Sequence, residues 1–175
     1  MFAAVLAPLQ RRPSTAWVWT VTGTLLIGWS LSLGVALRLH VSGPGWALTA
    51  VGLAFAVDTA AYFIGKAFGR HQLAPGISPG KTWEGAVAGF LAGGLAGVAL
   101  ASGFNLPIAW WEAGLLGLLC SVAAQLGDLA ESMIKRAAGA KDAGTAVPGH
   151  GGLLDRLDSM MPTIAVVYFF ATWLG

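Results

Sequence analysis

Three ionisable residues share one face of a predicted helix that runs through residues 127–136. At 3.6 residues per turn, Asp128, Glu131 and Lys135 lie on the same side. An aspartate at the edge of an apolar run is costly to desolvate unless it pairs or binds a cation, so we expect Asp128 to be functional. Glu131 has a simpler alternative, an intrahelical ion pair with Lys135, and the sequence leaves both interpretations open.

A glycine-rich segment with acidic neighbours follows this helix. Residues 141–152 read KDAGTAVPGHGG, and glycines let backbone N–H groups approach a phosphate closely. Asp155 and Asp158 come next and would share a helical face at the mouth of the last apolar run. Mg²⁺ prefers carboxylate and phosphate oxygens. Asp128 and Asp155, with Asp158 as a further candidate, could therefore supply ligands from two helices.

A second polar segment, residues 77–85, reads ISPGKTWEG. Its Ser78, Lys81 and Thr82 offer a hydroxyl, an ammonium and another hydroxyl, a set suited to phosphate oxygens. Ser78 or Thr82 could instead cap the helix that follows. Asp58 lies in the middle of an apolar run and needs a partner inside a helix bundle. It either reaches the polar site or bonds to a neighbouring helix.

The composition identifies the kind of scaffold that must position these residues. The chain is 56% hydrophobic and 10% charged, against about 25% charged residues in soluble domains. Runs of about 20 apolar residues can cross a bilayer as helices. We therefore predict an all-α, polytopic membrane bundle that forms one domain over residues 1–175, with two polar cytoplasmic loops. The five predicted spans are roughly 15–39, 46–68, 85–104, 106–126 and 157–174.

The basic residues alternate between successive connections of these spans. They precede the first span, follow the second and fourth, and are absent between the third and fourth, with Arg38 as the exception. Because Lys and Arg favour cytoplasmic loops, both polar loops are predicted to face the cytoplasm. The formal net charge of +2 is small, so no nucleic-acid partner is predicted.

The motifs resemble those of a known family. Residues 132–136, Lys141-Asp142, the PGHGG of 148–152 and the DRLD of 155–158 resemble the signature of phosphatidate cytidylyltransferases. The polar segment at 78–85 and the stretch around Asp58 resemble two further hallmarks. The resemblance covers the chain from about Val57 onwards, with the catalytic part at about residues 57–160.

This resemblance implies transfer of a cytidylyl group from CTP to phosphatidate, giving CDP-diacylglycerol and pyrophosphate, with Mg²⁺ and possibly a monovalent cation such as K⁺. Asp128 and Asp155 would hold the metal, supported by Asp142 and Asp158. His150 and Gly151 would lie at the substrate, although His150 could equally brace the glycine turn, and Thr82 belongs to the same substrate-binding set. The implied phosphate contacts are Ser78, Lys81, Lys135, Arg136, Lys141 and Arg156.

The implied chemistry accounts for interleaved acids and bases. The attacking lipid phosphate is already an anion, so the site needs no strong general base. It must instead neutralise and align two anions, the nucleotide and the lipid phosphate. Acids that hold metal and bases that hold phosphate meet that need.

Three alternatives remain open at the level of sequence. A related CTP-dependent lipid kinase would release CDP in place of pyrophosphate. A cation transporter would carry its ionisable residues near the bilayer midplane, where only Asp58 is predicted to lie. A non-catalytic scaffold would fit the N-terminal part, which is shorter than is common in the family. A homodimer is also possible, because Gly85, Gly89, Gly93 and Gly97 form a smooth helix face, although that face favours internal packing.

Overall fold

The computed structural model describes residues 13–137 and 157–174, which form five helices and one small hairpin. The helices are α1 (Pro13–Leu39), α2 (Gly43–Phe68), α3 (Trp83–Gly103), α4 (Trp110–Ala137) and α5 (Met160–Leu174); the strands, β1 (Gln72–Ala74) and β2 (Ser78–Thr82), lie between α2 and α3. The prediction of a mainly helical chain with five helices is confirmed.

Three of these helices, α2, α3 and α4, are long and apolar enough to cross a membrane. Helix α5 and the part of α1 from Gly23 to Leu39 are shorter apolar helices. Large apolar side chains cover the outside of the bundle; Leu95, for example, is 75% exposed. Such a surface suits contact with lipid tails and not with water.

The hairpin was not predicted, and it corrects the expectation of an all-α chain. Strands β1 and β2 pair antiparallel, with Gln72 opposite Thr82 and Ala74 opposite Ser78. Pro75 and Gly76 form the intervening turn, because the pair is typical of turns and cannot continue a strand. The hairpin places the second polar segment against the end of the helix bundle.

The connection between α1 and α2 is tight. Ser42 adopts a left-handed conformation with φ of 59°, and a side chain at Gly43 would lie 2.7 Å from the Leu37 carbonyl oxygen. Glycine is therefore required where the chain turns back. The turn lets Trp46, 2% exposed, enter the core.

The glycine face of α3 is internal. A Cβ at Gly85 would lie 2.6 Å from the Ala61 carbonyl oxygen of α2, and one at Gly97 would lie 3.1 Å from the Gly117 Cα of α4. Backbones approach this closely only where side chains are absent. The packing interpretation of this face is thereby confirmed, and the glycines hold α2, α3 and α4 together.

The core lies where α2, α4 and α5 meet. Leu53, Leu116 and Val167 are completely buried there, one from each helix. Helix α1 packs on α2 and α5. Helix α4 extends past the predicted end of its span to Ala137, and this extension carries the polar residues of the site.

Candidate functional site

Three carboxylates meet at one end of the bundle. Asp128 and Glu131 come from the extension of α4, and Asp158 comes from the turn that precedes α5. One oxygen from each lies within 4.8 Å of the others. The one-face arrangement of Asp128 and Glu131 on a helix is as the sequence predicts.

Glu131 is the most buried member of this acid cluster, at 6% exposure. Its Oε2 accepts a hydrogen bond of 3.2 Å from Lys135 Nζ, so the predicted intrahelical ion pair exists. Its Oε1 is buried and accepts no hydrogen bond from the described residues. A buried carboxylate oxygen left without a donor costs free energy, and a bound cation would remove that cost.

The pKa of Asp158 is raised to about 7. Burial is the largest cause, followed by the contact with Glu131 and the charge of Asp128. Crowded carboxylates resist simultaneous ionisation. A cation bound among these three carboxylates would relieve their mutual repulsion.

Lys81 supplies one positive charge from strand β2. Its Nζ lies 2.6 Å from Asp128 Oδ2, although this ion pair does not have hydrogen-bond geometry and the buried Nζ donates no hydrogen bond within the described chain. The ammonium therefore retains donors for an incoming anion. The hairpin is what carries this lysine to the acid cluster.

The end of α4 also anchors the hairpin. Arg136 Nε donates a 3.2 Å hydrogen bond to the carbonyl oxygen of Ile77, next to Ser78. At the other end of β2, Thr82 Oγ1 accepts a 3.2 Å hydrogen bond from the Gly85 amide and caps α3. The capping interpretation is thus confirmed for Thr82, whereas Ser78 lies in β2 and does not cap the helix.

Asp58 also reaches this end of the bundle. Its Oδ2 accepts a 2.7 Å hydrogen bond from Ser159 Oγ, next to Asp158. The two open interpretations are therefore both met, since the partner belongs to the start of a neighbouring helix and touches the polar site. A groove of about 290 Å³ opens between α2 and the turn before α5, with Asp58 and Asp158 in its wall and Phe55, Tyr62 and Phe63 beside them.

The donor set fits Mg²⁺. All three members of the acid cluster offer hard oxygen ligands, which Mg²⁺ and Ca²⁺ prefer, and the buried Glu131 Oε1, which has no donor among the described residues, is free to coordinate a cation. The sequence predicts the metal at Asp128 and Asp155. The structure places Asp128 with Glu131 and Asp158, while Asp155 lies outside the described residues.

Several predicted site residues lie outside the part of the chain that the structure describes: Lys141, Asp142, His150, Gly151, Asp155 and Arg156. The sequence leaves Glu131 open between a functional role and an ion pair with Lys135, and it does not name this residue as a metal ligand. Its place one turn after Asp128, on the same helical face, is the signal in the sequence that pointed to the acid cluster.

An apolar helical bundle with an acid cluster and basic residues at one end is the arrangement expected of a helical membrane protein with a charged site at the edge of its apolar part. The sequence model of the Cytidylyltransferase family matches residues 1–174. This chain belongs to that family. Together, the family and the apolar helices indicate an integral membrane protein.

Three relatives with the same printed name support this assignment. The phosphatidate cytidylyltransferase of Brucella suis is 42% identical over 156 residues, which cover 87% of this chain and 56% of that protein. The protein of the same name from Mycobacterium tuberculosis is 39% identical over 143 residues (82% and 43%), and that of Synechocystis is 47% identical over 122 residues (69% and 41%). The chain spans about half the length of the curated relatives it matches.

Proposed function

We propose that this chain transfers the cytidylyl group of CTP to phosphatidate. A phosphate oxygen of the lipid attacks the α-phosphorus of CTP, the bond to the β-phosphate oxygen breaks, and CDP-diacylglycerol and pyrophosphate form. The family assignment and the names of the relatives support the reaction. The observation that carries the proposal is the buried Lys81 ammonium beside Asp128 within a cluster of three carboxylates.

The chain's own residues supply both signs of charge that this reaction needs. The acid cluster would hold Mg²⁺, and bound Mg²⁺ would neutralise phosphate charge as the two anions approach. Lys81 Nζ would donate to a phosphate oxygen, because it retains hydrogen-bonding capacity at the cluster. Ser78, Lys135 and Arg136 lie on the two elements, β2 and α4, that border the same region, and we assign them to phosphate binding with Lys81.

Asp128 is assigned a double role. Its carboxylate would bind the metal while its contact with Lys81 holds the ammonium at the cluster, 2.6 Å away. When a phosphate binds, the Lys81 ammonium can donate hydrogen bonds to a phosphate oxygen while its ion pair with Asp128 weakens. The residues 141–156, which carry Lys141, Asp142, His150, Gly151, Asp155 and Arg156, would complete the site.

We place this site on the cytoplasmic side of a bacterial inner membrane. The alternation of basic residues along the chain supports that orientation, and CTP is a cytoplasmic nucleotide. A lipid phosphate lies at the membrane surface, next to the ends of the spanning helices. The site would then receive the nucleotide from water and the lipid from the bilayer.

The purified chain in detergent, supplied with CTP labelled at the α-phosphate, phosphatidate and Mg²⁺, tests the proposal. We expect a CDP-lipid and pyrophosphate. CDP together with a newly phosphorylated lipid, formed from a lipid alcohol, would instead support the kinase. If no product forms, a version extended at the N-terminus to the length of the relatives distinguishes a missing segment from a wrong assignment, since inactivity of both overturns the proposed function.

A further inference from the structure

A serine at the start of α5 joins two carboxylates that come from different elements. The Ser159 hydroxyl donates a 2.7 Å hydrogen bond to Asp58 Oδ2 in the middle of α2. The backbone amide of Ser159 donates a 2.6 Å hydrogen bond to Oδ1 of Asp158. Ser159 is 3% exposed, so both bonds are made where water competes little.

Asp58 is not a member of the acid cluster. Among the described residues, the three carboxylates that approach within 4.8 Å of one another are Asp128, Glu131 and Asp158, so Asp58 lies beside the cluster, and the Ser159 hydroxyl links it to the turn that carries Asp158. A carboxylate in the middle of an apolar helix is expensive. The hydrogen bond from the buried Ser159 hydroxyl offsets part of that cost and ties α2 to the turn before α5.

The backbone around Ser159 is fixed on its other sides as well. Its carbonyl oxygen accepts a 2.7 Å hydrogen bond from Thr163 Oγ1 within α5. A Cβ at Gly127 of α4 would lie 2.6 Å from the Asp158 carbonyl oxygen, so α4 and this turn are in close contact. The Asp58 hydrogen bond adds α2 as the third point of attachment.

We propose that Asp58 is a positioning residue that, through the Ser159 hydroxyl, fixes the carboxylate of Asp158 for cation binding. The carboxylate is held by the Ser159 amide, and the orientation of that amide depends on where the Ser159 side chain is anchored. Asp58 acts here as a hydrogen-bond acceptor, and its charge is not what the positioning requires. The inference rests on the proposed function only for the identity of the cation.

This proposal distinguishes three variants. Asp58→Asn keeps an oxygen that accepts the Ser159 hydrogen bond, whereas Asp58→Ala and Ser159→Ala each remove the bond. Outer partners of metal ligands typically contribute about 10- to 100-fold to metal affinity. We expect Asp58→Ala and Ser159→Ala to weaken cation binding by about 10-fold or more on that basis, and Asp58→Asn to stay close to the unsubstituted chain.

The test measures binding of Mn²⁺, a probe for Mg²⁺, to the purified full chain in detergent by electron paramagnetic resonance, without substrates. The double variant Asp58→Ala/Ser159→Ala should bind no more weakly than the worse single variant, because both substitutions remove the same hydrogen bond. Ser121→Ala is the matched control. It removes another buried serine hydroxyl, which bonds to the Gly117 carbonyl oxygen, and should leave Mn²⁺ affinity unchanged even if it lowers stability.

Equal loss of affinity in Asp58→Asn and Asp58→Ala would overturn the proposal, because the charge of Asp58 would then be what matters. Unchanged affinity in Ser159→Ala would overturn it as well, as would the absence of Mn²⁺ binding by the unsubstituted chain. The proposed function fails independently if the unsubstituted chain binds Mn²⁺ and responds to these substitutions as expected, but neither it nor the version extended at the N-terminus makes a CDP-lipid.

Discussion

The apolar part of α4 and its polar C-terminal end differ in how their buried polar groups are partnered. In its apolar half, Ser121 Oγ donates to the Gly117 carbonyl oxygen at 2.8 Å, and Gln125 Nε2 donates to the Ala86 carbonyl oxygen of α3 at 3.2 Å. One turn and a half further on, Glu131 Oε1 is buried and has no donor among the described residues. Within the described residues, the hydrogen bonds of the apolar half are made by the chain itself, whereas the polar end leaves a buried carboxylate oxygen that could accept a further partner.

Thr49 in α2 qualifies this comparison, because its buried hydroxyl also has no partner among the residues described. A neutral hydroxyl, however, costs far less to bury than a carboxylate. The unpartnered Thr49 hydroxyl can therefore be tolerated in the packed bundle, whereas the unpartnered Glu131 carboxylate oxygen suggests a binding site. Substitutions in the two regions should therefore affect different measurements.

The largest effect is expected at Asp128, the member of the acid cluster that contacts Lys81. Asp128→Asn should reduce formation of CDP-diacylglycerol by about a thousand-fold, because a metal ion contributes several kcal/mol to stabilising transition-state charge. The thermal unfolding temperature in detergent should change little, since the side chain is one-third exposed. Asp155→Asn should show the same loss if the predicted metal pair holds.

If Asp128→Asn and Asp155→Asn both retain activity, the assignment of these two residues as metal ligands is wrong. A large fall in unfolding temperature for Asp128→Asn would contradict the separation of the two regions. The activity assay and the unfolding scan should be made on the same preparation so that the comparison is direct.

The reverse pattern is expected at Gly97, in the apolar half. Gly97→Leu should destabilise the chain by about 3 kcal/mol or more, the upper part of the range for overpacked cores. A Cβ there would already lie 3.1 Å from Gly117 Cα. Activity should fall only in proportion to the folded fraction, measured by unfolding in detergent.

Gly28→Leu is the matched control for this substitution. Apart from the local backbone of α1, a Cβ at Gly28 would meet no heavy atom of the described residues within 4 Å, so the same side chain enters open space on α1. Equal stability of the two variants would show that the glycine face of α3 is not the tight contact inferred from its geometry.

An intermediate effect is expected at Glu131. Glu131→Gln keeps an oxygen for the Lys135 hydrogen bond but removes the negative charge, and Mg²⁺ affinity should fall by about 10-fold or more, at least the loss typical of outer partners of metal ligands. A ligand stabilises a protein according to its concentration relative to its dissociation constant. The rise in unfolding temperature on adding Mg²⁺ should therefore be smaller than for the unsubstituted chain.

Glu112→Gln is the control for the loss of a glutamate charge on α4. Glu112 Oε2 accepts a 2.7 Å hydrogen bond from the Ala109 amide at the opposite end of the helix, far along the chain from the acid cluster. Its variant should show the full response to Mg²⁺. If Glu131→Gln also shows the full response, Glu131 is only the partner of Lys135.

The helices were predictable from the sequence because apolar runs of sufficient length have few other uses. The glycine spacing of α3 likewise predicted its packing face. The hairpin was missed because β1 has only three residues, too short for a period-2 pattern to be visible. Without the hairpin, the meeting of Lys81 with Asp128 could not be foreseen, since it depends on a turn that folds β2 back onto α4.

The contacts among the site residues were predictable from the sequence only in part, for a similar reason. Helical periodicity placed Asp128 and Glu131 together, because both lie on one element. The approach of Asp158 depends on how α5 packs against α4, through contacts such as Gly127 against Pro162, where a Cβ would lie 2.5 Å from Pro162 Cγ. Such contacts between elements are not encoded in any local spacing.

The smallest effect is expected at Thr82, which lies between the two regions. Thr82→Ala should lower stability by about 1 kcal/mol, the usual cost of losing a helix N-cap, because the Gly85 amide loses its 3.2 Å acceptor. Thr82→Ser keeps the hydroxyl and should retain most of that stability. If the hydroxyl only caps α3, the KM for CTP should be the same in both variants once activity is corrected for the folded fraction. A KM that rises in Thr82→Ala but not in Thr82→Ser would instead assign the hydroxyl to phosphate binding. Thr82 would then belong with the polar site residues and not with the residues that only stabilise the bundle.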